Sequence, residues 1–169
     1  MDKTKSMSGN IMNSEKKSRL DFFLSEVDRL YTEIKAWISG YELLSSESDI
    51  LITEKKCGVY QTKKLTLSTK DGTRIAEIVP IGAWVVGANG RIDIIGLHDR
   101  IIIVHLDKGG PSFNFTFRVP MKTDKRFIYK GIDEAGWYWF EHKLSSKGHK
   151  LTAELFFEIL ADISDYERD

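Results

Sequence analysis

The sequence predicts an α+β fold, in which an N-terminal and a C-terminal helix pack on a curled antiparallel β-meander of about seven to nine strands. A length of 169 residues suits one domain with a sizeable core. Apolar residues recur at helical spacing near both ends of the chain, whereas the centre consists of short β-rich runs separated by turn residues. These connections are too short for a helical crossover, so neighbouring strands should be antiparallel. A β-sandwich or a partial barrel flanked by helices is the alternative.

The N-terminal helix is predicted to follow a flexible tail. Residues 1–17 are polar without periodicity, so we expect one domain over residues 18–169. Ser18, with Asp21 three residues on, resembles a capping box, and Gly40 is the expected stop. One apolar stripe follows the capping box: Phe23, Val27, Leu30, Ile34, Trp37 and Tyr41. We expect this stripe to dock on the protein's own sheet, because it spans barely three heptads, but a homodimer stays open.

The central strands are predicted from β-rich runs and the turns between them. Asn89-Gly90 is the strongest turn signal, typical of a two-residue type I′ hairpin, and His98-Asp99 marks the next turn. The predicted strands cover residues 49–56, 59–69, 73–79, 82–88, 91–96, 100–106, 112–119, 126–131 and 136–142.

The two central hairpins place charged residues on an apolar sheet. The Asn-Gly turn sets Val86 opposite Asp93, with Arg91 on the same face, and the next turn sets Ile95 opposite Ile102. Both faces of these strands are apolar, so we expect them to be covered on both sides. Because an unpaired buried charge is costly, Arg91 and Asp93 should pair with each other or with a partner.

A second helix is predicted near the C-terminus. Thr152 is a suitable N-cap, because its hydroxyl can accept a hydrogen bond from the first turn. The apolar face of this helix consists of Leu155, Phe156, Ile159, Leu160 and Ile163.

Composition and charge limit the functional classes. The 25 basic and 25 acidic side chains cancel, which argues against nucleic-acid binding through a basic tail. The single cysteine, Cys57, cannot form a disulfide within the chain, and the N-terminus does not resemble a secretory signal. No apolar run has the length of a membrane span. We therefore expect a cytoplasmic protein without membrane contact.

The sequence contains no motif for catalysis, metal binding or cofactor binding. The four histidines lack an HExxH pattern or a carboxylate cluster, and no GxSxG or GxxxxGK[ST] motif occurs. We therefore predict no metal, no cofactor and no catalytic residue, and we favour a non-enzymatic role. An unrecognised enzyme site near Arg91, Asp93 and His105 is kept as an alternative.

Arg91, Asp93 and Trp84 are the first candidate binding residues. In an apolar concavity, the charged pair could orient a ligand or a partner's side chain, but we favour a structural ion pair. Trp137 is a further candidate. It begins the aromatic run 137–140, a predicted strand whose outer side would offer an apolar patch to a protein partner.

The region 112–130 combines aromatic and basic residues. Every second residue from Phe113 to Phe117 is a phenylalanine, and five basic side chains against one acidic one give a net charge of +4. Aromatic rings among cations are typical of single-stranded nucleic-acid platforms. Three cations of this region are candidate binding residues: Arg118, Lys125 and Arg126. We favour the interpretation that the phenylalanines form the core face of the sheet and the cations its solvent face.

Part of the sequence resembles small bacterial proteins to which no established activity is attached. The stretch 79–96, VPIGAWVVGANGRIDIIG, resembles a hairpin of those proteins, and the start of the last helix, 151–154, resembles theirs. The resemblance implies a bacterial source and supplies no site residue.

The predicted function is that of a protein-binding module, an accessory or immunity-type partner of the protein that it assists or neutralises. Charge is segregated along the chain, since residues 20–53 and 131–169 each carry a net charge of −5. The basic 112–130 region and the aromatic candidates therefore point to a protein partner. Single-stranded nucleic-acid binding through residues 112–130 is the alternative, and an enzyme with an unrecognised site is the second alternative.

Overall fold

Two terminal helices and nine strands form the described part of the protein. This computed structural model describes residues 3–118, 121–141 and 147–167, except for the side chains of residues 3–12, 117, 118, 121 and 122. Helix α1 spans Lys3–Ile38 and helix α2 spans Ala153–Ile163. The strands are β1 (Leu43–Glu54), β2 (Gly58–Thr69), β3 (Arg74–Gly82), β4 (Gly90–Ile95), β5 (Arg100–Leu106), β6 (Ser112–Arg118), β7 (Met121–Phe127), β8 (Gly136–Trp139) and β9 (His149–Lys150).

Seven of the strands form one antiparallel sheet in the order β1-β2-β3-β4-β5-β8-β9. Strands β6 and β7 lie between β5 and β8 in the chain, and among the described strands they pair only with each other. We call residues 112–127 the β6–β7 ribbon. The predicted α+β fold, with a helix at each end of an antiparallel meander, is confirmed. The described strands form no closed barrel.

Helix α1 is longer than the sequence predicts. It begins at Lys3 rather than at Ser18, so the backbone of residues 3–17 is helical and the predicted capping box does not start the helix. The helix ends at Ile38. Gly40 follows with a φ of 100°, in the left-handed region that glycine adopts without strain. The flexibility of the tail and a domain boundary at residue 18 stay predictions.

Both helices cover the same face of the seven-stranded sheet. The α1 stripe is buried there from Phe23 to Ile34, which confirms its docking on the protein's own sheet. Helix α2 begins as predicted, with the Leu155 N–H donating to the Thr152 hydroxyl at 3.3 Å. The sheet contributes six large, fully buried side chains to this core: Leu65, Leu67, Ile78, Ile92, Ile94 and Ile103.

On the opposite face of the sheet, the described residues form a buried hydrophobic cluster only at one end. Leu106, Ile132 and Tyr138 form a small second cluster there. Elsewhere on this face the Ile102 side chain is exposed. The prediction that both faces are covered is therefore correct only in part.

The strand predicted over residues 82–88 is wrong. Strand β3 continues through Pro80 to Gly82 and pairs with β4, so that Val79 rather than Val86 lies opposite Asp93. Residues 83–89, which we call the 83–89 loop, connect the two strands. The prediction of a two-residue hairpin turn at Asn89-Gly90 is wrong for the same reason.

The β4–β5 hairpin forms in a register two residues away from the predicted one. Ile95 pairs with Arg100 rather than with Ile102. The connecting turn is tied to α2, because the His98 N–H donates to the Ile163 carbonyl at 2.9 Å. Since the shift is an even number of residues, the side chains of both strands keep their predicted faces.

Candidate functional site

Arg91 and Asp93 form a bidentate ion pair on the sheet face opposite the helices. Nε and Nη2 of Arg91 donate to the two carboxylate oxygens of Asp93 at 2.7 and 2.8 Å, and the Arg100 Nε lies 3.5 Å from Oδ2. The Asp93 side chain is 0% exposed, whereas both arginines reach solvent. The hydrogen bonds to Asp93 raise the pKa of Arg91. The predicted pairing is confirmed, and a role of the pair in binding stays a prediction.

A second buried polar contact lies on the helix-covered face. The His105 Nε2 is 3.1 Å from the Glu26 Oε2, and the imidazole lies edge-on to Phe22 and Trp137, with centroids 5.2 Å from each. Its Nδ1 has no hydrogen-bond partner among the described residues. Burial lowers the pKa of His105, although Glu26 acts in the opposite direction. His105 and Asp93 occupy opposite faces, so the structure does not bring the residues of the predicted enzyme alternative together.

Trp84 belongs to the 83–89 loop, which two charged side chains hold in place. Arg19 of α1 donates to the carbonyls of Ala83 and Ala88 at 3.0 Å, and its guanidinium lies 5.6 Å from the Trp84 ring centroid. Glu54 of β1 accepts hydrogen bonds from the N–H groups of Ala83 and Trp84 at 2.9 Å. Trp84 itself packs against the main core. The contacts from α1 and β1 explain why this segment leaves the sheet.

Trp137 is a core residue rather than a surface one. Its indole lies between α1 and the sheet, where Nε1 donates to the Glu26 carbonyl at 3.4 Å and the ring contacts Phe23. The prediction of an outward apolar patch is therefore wrong for Trp137, because α1 covers the face on which this side chain lies.

The β6–β7 ribbon is exposed to solvent on both faces. Every ribbon residue whose burial is described, 112–116 and 123–127, is exposed. Phe113 and Phe115 are 43% and 41% exposed. The favoured prediction that the phenylalanine row forms the core face of the sheet is therefore wrong. Neither of the two hydrophobic clusters includes a described residue of the ribbon.

The exposed aromatic rings of the ribbon are partnered by cations. The rings of Phe113 and Phe115 meet edge to face, with centroids 4.5 Å apart, and the Arg126 guanidinium lies 5.3 Å from the centre of the Phe115 ring. The Lys125 ammonium lies 5.1 Å from the centre of the Phe127 ring. These are cation–π distances. The side chain of the third predicted cation, Arg118, lies outside the described residues.

Strand β7 covers other residues than predicted, and its composition explains why the ribbon is exposed. It runs from Met121 to Phe127, where the sequence predicted a strand over residues 126–131. Its centre, residues 122–126, consists of five consecutive polar residues, KTDKR. A strand that is polar on both faces cannot line a core. This polar run is the signal by which the sequence could have identified the ribbon as exposed. Sequence reasoning also missed two exposed apolar residues, Phe127 and Ile128.

The ribbon is a basic element of a chain in which residues 54–77 carry a net charge of +3 and residues 131–169 one of −5. Residues 112–127 contain four basic side chains and one acidic one, whereas residues 20–53 carry a net charge of −5. The ribbon carboxylate, on Asp124, lies 3.8 Å from the Arg126 Nε. An exposed ion pair of this kind is weak, so the ribbon keeps a positive potential.

Comparison of the chain with protein-family models, with curated protein sequences and with solved structures found no match. Within the described residues, no group of three or more His, Cys, Asp or Glu side chains is placed to hold a metal ion. None of the helices in that part of the chain has both the length and the apolar character that crossing a membrane requires. The exposed aromatic rings and cations of the ribbon therefore define the candidate site.

Proposed function

We propose that the protein is a non-enzymatic binding module of the cytoplasm whose β6–β7 ribbon docks on a partner protein. The exposure of Phe113 and Phe115 carries this proposal. Aromatic residues and arginine are enriched at protein interfaces and dominate their binding energy. A partner that covers these rings removes apolar surface from water, which favours association.

The arrangement of the rings favours a protein over single-stranded nucleic acid. Bases stack on open ring faces, and successive bases need successive faces. In the ribbon, Phe113 and Phe115 pack against each other edge to face, and Arg126 lies over the latter. The three groups form one compact knob instead of a row of parallel platforms. Such a knob suits a pocket in a protein surface.

The charge of the ribbon specifies the surface that it would bind. Arg126 lies over Phe115 on the face that carries Phe113 and Phe115, whereas Lys125 and Phe127 lie on the other face of the ribbon. A surface complementary to the phenylalanine face therefore has an apolar pocket with a carboxylate beside it. Opposite charges across the interface would accelerate association and orient the partner. A protein with such a surface fits the accessory or immunity-type role predicted from the sequence.

The test compares the partners captured by three tagged forms of the chain: the wild type, a ribbon variant and a matched control. Each capture is treated with nuclease, and the bound proteins are identified by mass spectrometry. The ribbon variant is Phe113→Ser/Phe115→Ser. The matched control is Leu51→Ser/Val59→Ser, which removes two exposed apolar side chains from β1 and β2. We expect one stoichiometric protein on the wild type and on the control, and its loss from the ribbon variant.

Two results would contradict the proposal: a partner that the ribbon variant retains in full, or a partner that the control loses to the same extent. Circular dichroism and thermal unfolding of the three forms establish that each is folded. Binding that disappears on nuclease treatment would count against a protein partner.

Nucleic acid is the second candidate, because Lys125 and Arg126 place positive charge beside aromatic rings. Such binding is strongly salt-dependent, since bound phosphates release counterions. Anisotropy of a fluorescent oligo(dT) at low and high salt measures it. Saturable, salt-sensitive binding that Lys125→Ala/Arg126→Ala abolishes would favour this candidate over a protein partner.

A further inference from the structure

Four strand edges are free in the described sheets, and three of them are protected. A free edge exposes unpaired backbone N–H and C=O groups to which another strand can add. Strand β9 has only two residues. Strand β1 carries the acidic residues Glu47 and Asp49 near its centre. Strand β7 carries four charged residues: Lys122, Asp124, Lys125 and Arg126.

Strand β6 lacks this protection. From Ser112 to Phe117 it contains no charged residue, and every second residue is a phenylalanine. Among the strands that the structure describes, it pairs with β7 alone, on one side. A two-stranded ribbon is marginally stable in water, so a third strand would stabilise it. An exposed, uncharged and aromatic edge of this kind is suited to strand addition.

We propose that a second copy of this chain occupies the β6 edge, through antiparallel pairing of the two β6 strands about a two-fold axis at Phe115. The product is a four-stranded sheet in the order β7-β6-β6′-β7′. In this register Phe115 lies opposite its counterpart, and Asn114 lies opposite Thr116 of the second copy. Between Phe113 and Phe117, apolar residues meet apolar ones and neutral polar residues meet each other, and at each end Arg118 falls opposite Ser112. No like charges oppose each other, so the edge is complementary to itself.

Charged residues on the other two long free edges, β1 and β7, disfavour pairing with a second copy there. Pairing of two β1 strands about Ser48 would set Glu47 opposite Asp49 of the second copy, and like charges directly opposite each other are destabilising. Pairing through β7 would bring together the cations of both ribbons. Of the long free edges among the described residues, β6 therefore suits a second copy best.

The basic charge of the ribbon does not prevent pairing through β6. The cations with described side chains, Lys125 and Arg126, lie on β7, which becomes the outer strand in each copy. The two β7 strands are then three strand spacings apart, about 14 Å. That separation exceeds the Debye length of about 8 Å at physiological salt, so repulsion between the strands is largely screened. Strand pairing over β6 alone buries less than a standard interface, so we expect a reversible dimer.

Sedimentation equilibrium of the full chain over a range of concentrations tests this proposal. We expect the average mass of the wild type to rise from 19.4 kDa towards twice that value. The variant Asn114→Glu/Thr116→Glu sets two carboxylates opposite each other at both symmetric positions, and we expect its dissociation constant to rise at least tenfold. The variant Asn114→Glu/Thr116→Lys keeps the first change but sets opposite charges together, and we expect it to recover the dimer.

The two variants make the result decisive. A wild type that stays monomeric throughout would overturn the proposal, as would a dimer that the double glutamate variant leaves unchanged. Loss of the dimer in both variants would also overturn it, because the lysine variant should then have restored pairing. Both variants keep Phe113 and Phe115, so capture of the partner protein reports on the proposed function separately from the dimer.

Discussion

Strand β4 of the large sheet and strand β6 of the ribbon share one pattern but have opposite environments. Both alternate large apolar residues with polar ones. Ile92 and Ile94 of β4 are fully buried beneath the helices, whereas Phe113 and Phe115 of β6 face solvent. Alternation along a strand therefore predicts the strand and its two faces, but not whether anything covers them.

The neighbouring strands distinguish the two cases. Strand β5, beside β4, contains four consecutive apolar residues, Ile101–Val104, whereas β7, beside β6, is polar along its centre. A buried face is shared by adjacent strands, so all of them must present apolar residues to it. Because one region is buried and the other is exposed, we expect the core sheet and the ribbon to respond differently to equivalent substitutions.

The largest contrast is expected between two isoleucines. Ile103 is fully buried in the main core, so Ile103→Ala should lower the free energy of unfolding by about 2–5 kcal/mol. Ile128, which follows the ribbon, is exposed, and Ile128→Ala should cost less than about 1 kcal/mol. Urea unfolding of the two variants measures both values. Equal losses would contradict the division into a core and an exposed ribbon.

Two aspartates give a smaller contrast of the same kind. Asp93→Ala removes the buried carboxylate that binds Arg91 and Arg100, and we expect a loss of about 1.5–3 kcal/mol, the contribution of hydrogen bonds to charged groups, because both arginines can turn to solvent. Asp124→Ala removes an exposed carboxylate from the ribbon, with an expected change below about 1 kcal/mol. Chemical unfolding at neutral pH compares them. A small effect of Asp93→Ala would mean that the ion pair contributes little to the sheet.

The smallest expected effect is on the pH dependence of stability, through His105 on the helix-covered face. Burial lowers the folded-state pKa of His105, so the unfolded chain binds a proton there before the folded one does. The stability that neutral His105 provides is therefore present above its unfolded pKa of about 6.5 and is lost as pH falls below it. The measurement is the urea midpoint at pH 7.5 and 5.5, and His105→Gln should reduce the difference. An unchanged difference would assign the pH dependence to other groups.

Local signals predicted most of the architecture. Thr152 and the apolar face after it gave the position of α2, and the strand runs gave an antiparallel sheet. The 83–89 loop could not be predicted in this way. Arg19 and Glu54, distant in the sequence, hold its backbone by hydrogen bonds, and those contacts override the Asn-Gly turn signal. The β4–β5 register shifted for a similar reason, since the turn at His98 is bonded to α2.

The candidate site was predicted only in part. Lys125 and Arg126 were identified from their charge, and the structure places them over aromatic rings. The phenylalanines were assigned to the core, because alternation is the ordinary pattern of a half-buried strand. Trp137 is a binding candidate from an aromatic run with one side in the core, and nothing in that run indicates that α1 covers this residue. Whether a face is covered depends on how distant elements pack, which periodicity does not encode.

The measurement that most directly tests the central claim is the free energy of unfolding of Phe113→Ser/Phe115→Ser against the wild type. If the ribbon phenylalanines serve a partner rather than the core, we expect the double variant to stay folded and to lose no more than about 1 kcal/mol. Truncation of a core phenylalanine costs about 3–5 kcal/mol. A loss of that size, or failure to fold, would show that these rings belong to the core and would contradict the docking role of the ribbon.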